Sequence, residues 1–179
     1  MEETKHSTHF SGKSSNSLII SYEPELGQCM WLITPEHYNI PIIPQTLRDI
    51  SSLSNTKRIR PNDPPNQFIN LISQPQSDNW CTHYQRGSLD FQLGDWKNTT
   101  KEWETAVNAG LHPVNGYEYL PFIKAYSNME DWKNAVELTK SSNRATKGMA
   151  NGLCSVWRQI KTETNASQKK DEAINQIWD

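Results

Sequence analysis

The residues of this 179-residue chain that could bind a metal or take part in catalysis are its five histidines, its three cysteines and a few adjacent carboxylates. The histidines follow neither the H-E-x-x-H pattern nor another paired-ligand spacing. Cys29, Cys81 and Cys154 contain no C-x-x-C pair, so their spacing indicates neither a zinc site nor a disulfide framework. We expect buried, inert thiols. The sequence therefore predicts no metal and no cofactor.

Two pairs of reactive side chains are close enough in sequence to suggest catalysis. Cys81 and His83 are two residues apart, and so are Glu102 and Glu104. Residues at i and i+2 of a helix point to different faces, so neither pair can act jointly on one substrate. Carboxylates are rarely buried, which makes a solvated face the ordinary interpretation of the two glutamates. We expect no catalytic residue and therefore no enzyme.

Composition excludes further classes of function. The formal net charge is −2 and the Lys and Arg residues are scattered, so the chain has no basic footprint for nucleic acid. No apolar run approaches the roughly 20 residues of a membrane helix, and the first residues lack the apolar stretch of a signal peptide. We expect a soluble chain without direct membrane insertion. The N-x-[ST] motifs at Asn98 and Asn165 matter only in an exported protein, and we treat them as silent.

The first part of the chain favours a tail followed by a small α/β segment. Residues 1–17 are polar and predict a disordered tail. Within residues 18–76, two β-branched or aromatic runs at 18–22 and 29–34 predict strands joined by a turn. The turn is too short for a crossover helix, so the strands should pair antiparallel. A short helix is predicted at residues 44–53.

Helical periodicity replaces the strand pattern in residues 77–164. Four helices in two pairs are predicted, followed by a fifth at residues 146–164 that would cap the open end of the stack. Residues 165–179 read as a C-terminal tail with a short helix. The predicted fold class is α+β, mostly α: a small N-terminal hairpin and helix segment before helix pairs and a capping helix.

An internal repeat is the strongest signal in the sequence. The tetrapeptide that begins with Asp95 and Trp96 recurs unchanged 36 residues later, beginning with Asp131 and Trp132. Each copy lies between two predicted helices, where the aspartate can accept hydrogen bonds from the first N–H groups. The following tryptophan would then lie between the helices of its pair. We expect Trp96 and Trp132 to occupy equivalent buried positions.

The junction from Leu93 to Trp96 resembles the "L-G-D-Y" helix junction of tetratricopeptide units, a family of helical repeats with a period near 34 residues. The second copy departs from this pattern, because Met129 and Glu130 replace Leu-Gly and Ser142 replaces the small Ala106. The resemblance implies structural repeat residues, which are Gly87, Gly94, Asp95, Trp96, Ala106, Asp131, Trp132 and Ala135. It also implies an interaction surface that includes Arg86 and Lys124 on the first helices.

A longer resemblance spans residues 17–160 and rests on segments such as NWCTHYQRGSLDFQLGDWKN, LPFIKAYSNMEDWKNAVEL and LCSVWRQI. They resemble the C-terminal extramembrane region of certain bacterial multi-spanning, glycosyltransferase-like membrane proteins. No catalytic residue is carried over, since the membrane helices of those proteins have no counterpart here. The resemblance implies a setting beside a membrane on its extracytoplasmic side, in a detached or truncated chain.

Two functions from different classes follow. The leading one is a non-catalytic interaction or scaffolding module whose helix pairs bind a protein or peptide partner. The alternative is an accessory domain, regulatory or substrate-positioning, that contacts the membrane domain of a glycosyltransferase in the same assembly. A third, an independent small hydrolase, lacks every residue constellation that it needs.

Overall fold

A computed structural model of the chain describes residues 2–5, 8–11, 17–23, 28–59 and 78–178. These residues form an α+β structure that is mostly α, as the periodicity predicted. The chain divides into two compact units. Unit 1 comprises residues 1–21, 31–39 and 43–75, and unit 2 comprises residues 22–30, 40–42 and 76–179. The predicted boundary at residues 76 and 77 lies outside the described residues.

Unit 1 begins with a β-hairpin where a disordered tail was predicted. Strand β1 (Glu2–Lys5) pairs antiparallel with strand β2 (Thr8–Ser11), with Glu2 opposite Ser11. The prediction of a tail was therefore wrong for these residues. The prediction rested on side-chain hydrophobicity alone, whereas the hydrogen bonds of a hairpin satisfy backbone N–H and C=O groups regardless of the side chains.

The two strands predicted after this hairpin are present and antiparallel. Strand β3 (Ile19–Ser21) pairs with strand β4 (Trp31–Ile33). Side chains alternate across a strand, which buries Ile19, Trp31 and Ile33 and leaves Ile20 49% exposed. The β-branched run was thus a valid signal for a half-buried strand.

Short helical segments complete unit 1. A 3₁₀ turn (Pro35–Asn39) follows β4, helix α1 (Gln45–Ile50) continues into a 3₁₀ turn at Ser51–Leu53, and Thr56–Arg58 forms another. The helix predicted at residues 44–53 is therefore confirmed. Ser17 and Ser54 form an isolated parallel bridge, supported by a 2.8 Å hydrogen bond from the Asn55 N–H to the Ser17 carbonyl.

Unit 2 is a succession of helices, of which the first four pack as two consecutive pairs. The six α-helices are α2 (Trp80–Gln92), α3 (Trp96–Asn108), α4 (Leu120–Asn128), α5 (Trp132–Ala145), α6 (Ala150–Glu163) and α7 (Gln168–Trp178) among the described residues. A 3₁₀ turn at Gly116–Tyr119 leads into α4, and Pro121 lies in the first turn of α4, where its missing N–H costs nothing. The helices predicted at both copies of the repeat are therefore confirmed.

Helices α6 and α7 were both predicted, but not as a third helix pair of the repeat. The second helices of the three pairs begin after Asp95, Asp131 and Ser167, at intervals of 36 residues. The Ser167 hydroxyl accepts from the Lys170 N–H, as the two aspartates accept from the residue three positions later. The short helix predicted within residues 165–179 is therefore present as α7. Its place in the 36-residue spacing was not predicted, because serine replaces aspartate in a segment that lacks the tetrapeptide.

Helix α7 packs mainly on α5, and one of its lysines joins it to the end of α6. Ala173 and Ile174 are buried, and the Lys170 ammonium donates to the carbonyls of Lys161 and Thr164 at 2.7 and 2.8 Å. Lys170 thereby satisfies carbonyl groups at the end of α6, which have no partner within their own helix. The cation also interacts favourably with the negative end of the α6 dipole.

Two glycines permit close contact between elements of unit 2. A Cβ atom at Gly87 would lie 2.7 Å from Cε1 of Phe122, and one at Gly116 would lie 2.6 Å from the Ser142 carbonyl oxygen. Ser142 replaces Ala106 in the repeat, and its hydroxyl donates a 2.7 Å hydrogen bond to the Gly116 carbonyl. The absence of a side chain at Gly87 and Gly116 therefore permits close approach, as the repeat resemblance implied for Gly87.

Candidate functional site

The two turns that precede the repeated tetrapeptide have nearly the same geometry. The Asp95 N–H donates to the Asp90 carbonyl and the Asp131 N–H to the Tyr126 carbonyl, both at 2.9 Å. Gly94, with φ of 77°, is in the left-handed region that ends a helix, and Glu130 occupies the same place with φ of 60°. The second copy therefore keeps the turn although it has lost the glycine.

The repeated aspartates cap their helices with the same hydrogen bonds. Oδ1 of Asp95 accepts from the Asn98 N–H at 3.1 Å, and Oδ1 of Asp131 accepts from the Asn134 N–H at 3.2 Å. The amide groups of the two asparagines donate to the other carboxylate oxygen, at 2.7 Å in both copies. The tetrapeptide is thus explained as a helix cap.

The tryptophans of the two copies are not equivalent. Trp132 is 6% exposed, and Ala135 on the next turn is fully buried, as is Ala106 in the first pair. Trp96 is half-buried and packs on Phe91 with ring centroids 5.0 Å apart. The prediction of two buried indoles is confirmed for Trp132 and wrong for Trp96, which covers the end of its own hairpin.

Apolar side chains are exposed at equivalent positions of the first two inter-helix turns. Leu93 is 54% exposed, and Met129, 36 residues later, is 45% exposed. The Thr100 hydroxyl lies 3.7 Å from the Met129 sulfur, which places the second turn against α3 of the first pair. Phe91, Leu93, Trp96 and Met129 are named the apolar turn edge here. Exposed apolar side chains that recur with the repeat are a feature of recognition surfaces.

The two cations predicted for an interaction surface have different environments. Arg86 is exposed on α2. Lys124 is only 7% exposed, and its ammonium lies 5.7 Å from the centroid of the Phe91 ring. This cation–π contact makes Lys124 a support beneath the apolar turn edge. The two residues therefore do not form one exposed basic patch.

Cys29 and Cys81 form a disulfide bond, so the prediction of inert thiols was wrong for this pair. It attaches residues 28–30 to α2 across 52 residues of sequence. Sequence spacing gives no information about such a pairing, because only the fold brings the two residues together. Cys154 on α6 remains a free thiol.

A fully buried carboxylate lies beside the disulfide. Glu118 has 0% exposure and accepts four hydrogen bonds: from the N–H of Cys29 (3.2 Å) and of Val114 (3.0 Å), the indole of Trp80 (2.6 Å) and the amide of Asn115 (3.3 Å). These bonds compensate the desolvation of the carboxylate. They join residues 28–30, α2 and the segment before α4. Sequence reasoning missed this centre, since nothing in the local sequence marks Glu118 as buried.

The catalytic pair considered from sequence is excluded by the structure. The Cys81 sulfur is in the disulfide and cannot act as a thiolate nucleophile. His83 is buried, with Nδ1 2.7 Å from Oε2 of Glu102 and Nε2 3.0 Å from Oδ1 of Asp78. Both ring nitrogens are therefore engaged by carboxylates, and the imidazole connects the start of α2 to α3.

The two neighbouring glutamates of α3 point to different partners, as predicted. Glu102 contacts His83, whereas Glu104 accepts a 3.2 Å hydrogen bond from the Tyr126 hydroxyl on α4. Burial, followed by the adjacent Glu104 charge, raises the pKa of Tyr126 above its ordinary range. Burial also raises the pKa of Tyr84. Both phenols therefore remain neutral and act as packing groups.

Neither metal ligation nor membrane insertion is supported by the parts of the chain that the structure describes. These residues contain no group of three or more His, Cys, Asp or Glu side chains that could hold a metal ion. The described helices also include none that is both long and apolar enough to cross a membrane.

Comparison of the chain with protein-family models, with curated protein sequences and with solved structures finds no match in any of the three. The fold and the contacts above are therefore the basis on which a function can be argued.

Proposed function

We propose that this chain is a non-catalytic protein-interaction or scaffolding module of the tetratricopeptide-like type. The observation that carries the proposal is the apolar turn edge, where Leu93 and Met129 expose apolar side chains at equivalent positions of successive helix pairs. A repeat that only had to fold could place polar residues at both turns. Successive units of a helical repeat present equivalent positions side by side, which suits an extended peptide or helix partner.

The support beneath this edge favours recognition over incidental exposure. Phe91 and Trp96 stack on each other, and the buried stem of Lys124 brings its ammonium to the Phe91 ring. These contacts order the aromatic side chains before a partner binds. A pre-ordered surface loses less conformational entropy on binding, and partly exposed Trp is enriched in binding hot spots.

A screen of a displayed random-peptide library against the full chain tests the proposal. Binders are expected, and the double variant Leu93→Asp/Met129→Asp should weaken them by at least about tenfold, or ~1.4 kcal/mol. Leu53→Asp is the matched control, because Leu53 is similarly exposed at 44% but belongs to unit 1. The proposal would be contradicted if the peptides bound the double variant as tightly as the control Leu53→Asp, or if the screen yielded no binders.

The absence of catalysis is part of the same proposal. Glu118 and His83 are the chemically most notable groups of unit 2, but both are buried and held by hydrogen bonds. The full chain should therefore leave lipid-linked and nucleotide-linked sugar donors unchanged. Turnover of a labelled donor that is lost on changing one acidic residue, with the circular dichroism spectrum preserved, would overturn this part.

One observation favours the alternative, an accessory extramembrane domain of a membrane glycosyltransferase. The Cys29–Cys81 disulfide is typical of chains that mature outside the reducing cytosol, as an extracytoplasmic domain would. Co-expression with candidate multi-spanning transferases, followed by cross-linking at Leu93, distinguishes the two functions. A cross-link to a membrane domain supports the accessory function, whereas cross-links only to soluble proteins support the interaction module.

A further inference from the structure

The third inter-helix turn differs from the first two in its backbone, because its first residue, Thr164, is extended, and in the residue at its tip. Leu93 and Met129 are followed at the same 36-residue interval by Asn165, which is exposed. Asn165 is the first residue of the motif Asn165-Ala166-Ser167, one of the two N-x-[ST] sequences of the chain. The row of exposed apolar residues thus ends at a polar residue of a modification motif.

The disulfide gives this motif a meaning that the sequence alone did not. N-linked glycans are attached in the secretory pathway, where disulfides also form and persist. A chain with the Cys29–Cys81 bond is suited to that environment. The two features are independent, since the disulfide lies in another part of unit 2.

Local structure distinguishes Asn165 from the other motif. Asn165 lies in an irregular segment between α6 and α7, with Ala166 also exposed. Asn98 lies in the first turn of α3, where its amide donates to Asp95 at 2.7 Å. The hydroxyl of Thr100, the third residue of that motif, is buried and donates to the Lys97 carbonyl. Only the segment at Asn165 offers an accessible acceptor outside a helix.

We propose that Asn165 is an N-glycan acceptor, and that Asn98 is not, when the chain folds in an oxidising secretory compartment. The co-substrate is a lipid-diphosphate-linked oligosaccharide. A bond forms between Nδ2 of Asn165 and the anomeric carbon of the sugar, and the bond from that carbon to the diphosphate oxygen breaks. The lipid diphosphate leaves with the bonding electrons, and the amide loses one proton to the transferase or solvent.

The position of the glycan has a consequence for the apolar turn edge. A bulky, hydrated oligosaccharide on the third turn would limit contacts to the first two turns. It would also oppose edge-to-edge association of two copies along the row that contains Leu93 and Met129. The acceptor itself depends only on the exposed motif outside a helix and on the disulfide, so it stands apart from the proposed binding function.

Secretion of the full chain from a glycosylating eukaryotic cell behind a heterologous leader tests this inference. Peptide mapping after enzymatic deglycosylation in heavy-oxygen water should mark Asn165 alone, together with a disulfide-linked peptide pair containing Cys29 and Cys81. The glycan should be lost in Asn165→Gln and Ser167→Ala. It should remain in Ser167→Thr, which keeps both the motif and a hydroxyl cap for α7, and in Asn98→Gln.

Several outcomes would overturn the inference. One is an unmodified Asn165 in secreted chain that has the disulfide, and another is a glycan on Asn98 in its place. Secreted chain that is glycosylated but lacks the disulfide would remove the argument for an oxidised fold. If secretion fails, translation of the full chain with microsomes gives the same readout, as a gel shift that Asn165→Gln abolishes.

Discussion

Glu130→Gly should stabilise the protein, although it removes a charged side chain from a helix junction. Glu130 has φ of 60° at the turn between α4 and α5, whereas the equivalent position in the first pair is Gly94 with φ of 77°. The left-handed conformation costs a residue with a Cβ atom roughly 1–2 kcal/mol. The Glu130 side chain is exposed, so this strain is the main quantity that the substitution changes.

The expected magnitude follows from two opposing effects. Relief of the strain contributes about 1–2 kcal/mol, and the greater freedom of glycine in the unfolded chain removes roughly 0.4–1 kcal/mol. The net gain in the free energy of unfolding is therefore ~0.5–1 kcal/mol. For a unit of this size, that raises the melting temperature by roughly 2–8 °C.

The reciprocal substitution Gly94→Glu is the matched control. A Cβ atom at Gly94 would meet Cζ2 of Trp96 at 3.9 Å, an ordinary van der Waals distance, so the cost is conformational and not steric. Gly94→Glu should lose about as much stability as Glu130→Gly gains, again ~0.5–1 kcal/mol. The double variant should return close to the original stability, because the two turns belong to different helix pairs.

Urea denaturation followed by far-ultraviolet circular dichroism measures these differences, provided that the denaturant dependence is unchanged among the variants. If Glu130→Gly is neutral or destabilising while Gly94→Glu behaves as expected, the Glu130 side chain contributes a contact that offsets its strain. The reasoning from backbone geometry would then be refuted for this turn.

Three further predictions concern other features of unit 2. Cys81→Ser should lower the free energy of unfolding by ~4 kcal/mol, the expectation for a disulfide that closes a loop of this length. A dithiol reductant should lower the denaturation midpoint of the unchanged protein but leave that of Cys81→Ser unaffected. Burial raises the pKa of Tyr84 from its ordinary 10.0, so above about pH 10 the folded state keeps a proton that the unfolded state loses. The free energy of unfolding should therefore fall as the pH rises above about 10. In Tyr84→Phe, the fall of the melting temperature with pH in this range should be less steep. Gly87→Ala should cost roughly 1–3 kcal/mol because the new methyl group would lie 2.7 Å from the Phe122 ring, and a neutral result in urea melts would show that this ring moves aside easily.

The local sequence was sufficient for the elements whose signals are themselves local. The period of 3.6, the recurring tetrapeptide and the helix-ending glycines predicted the first five helices of unit 2, because caps and amphipathic faces involve neighbours only a few residues away. The β-branched and aromatic runs at residues 18–22 and 29–34, and the short turn between them, likewise predicted the antiparallel strands β3 and β4. The third pair was missed where Ser167 took the capping role of an aspartate, although its 36-residue spacing could have revealed it.

Tertiary structure decided the features that depend on residues distant in sequence. Trp96 and Trp132 have the same local sequence but different exposure, since burial depends on which helices pack beside each pair. The Cys29–Cys81 bond and the hydrogen bond that Glu118 accepts from the Cys29 N–H join segments separated by 52 and 89 residues. No periodicity encodes such partners, because the energy of these contacts arises only after the fold has removed the groups from water and brought them together.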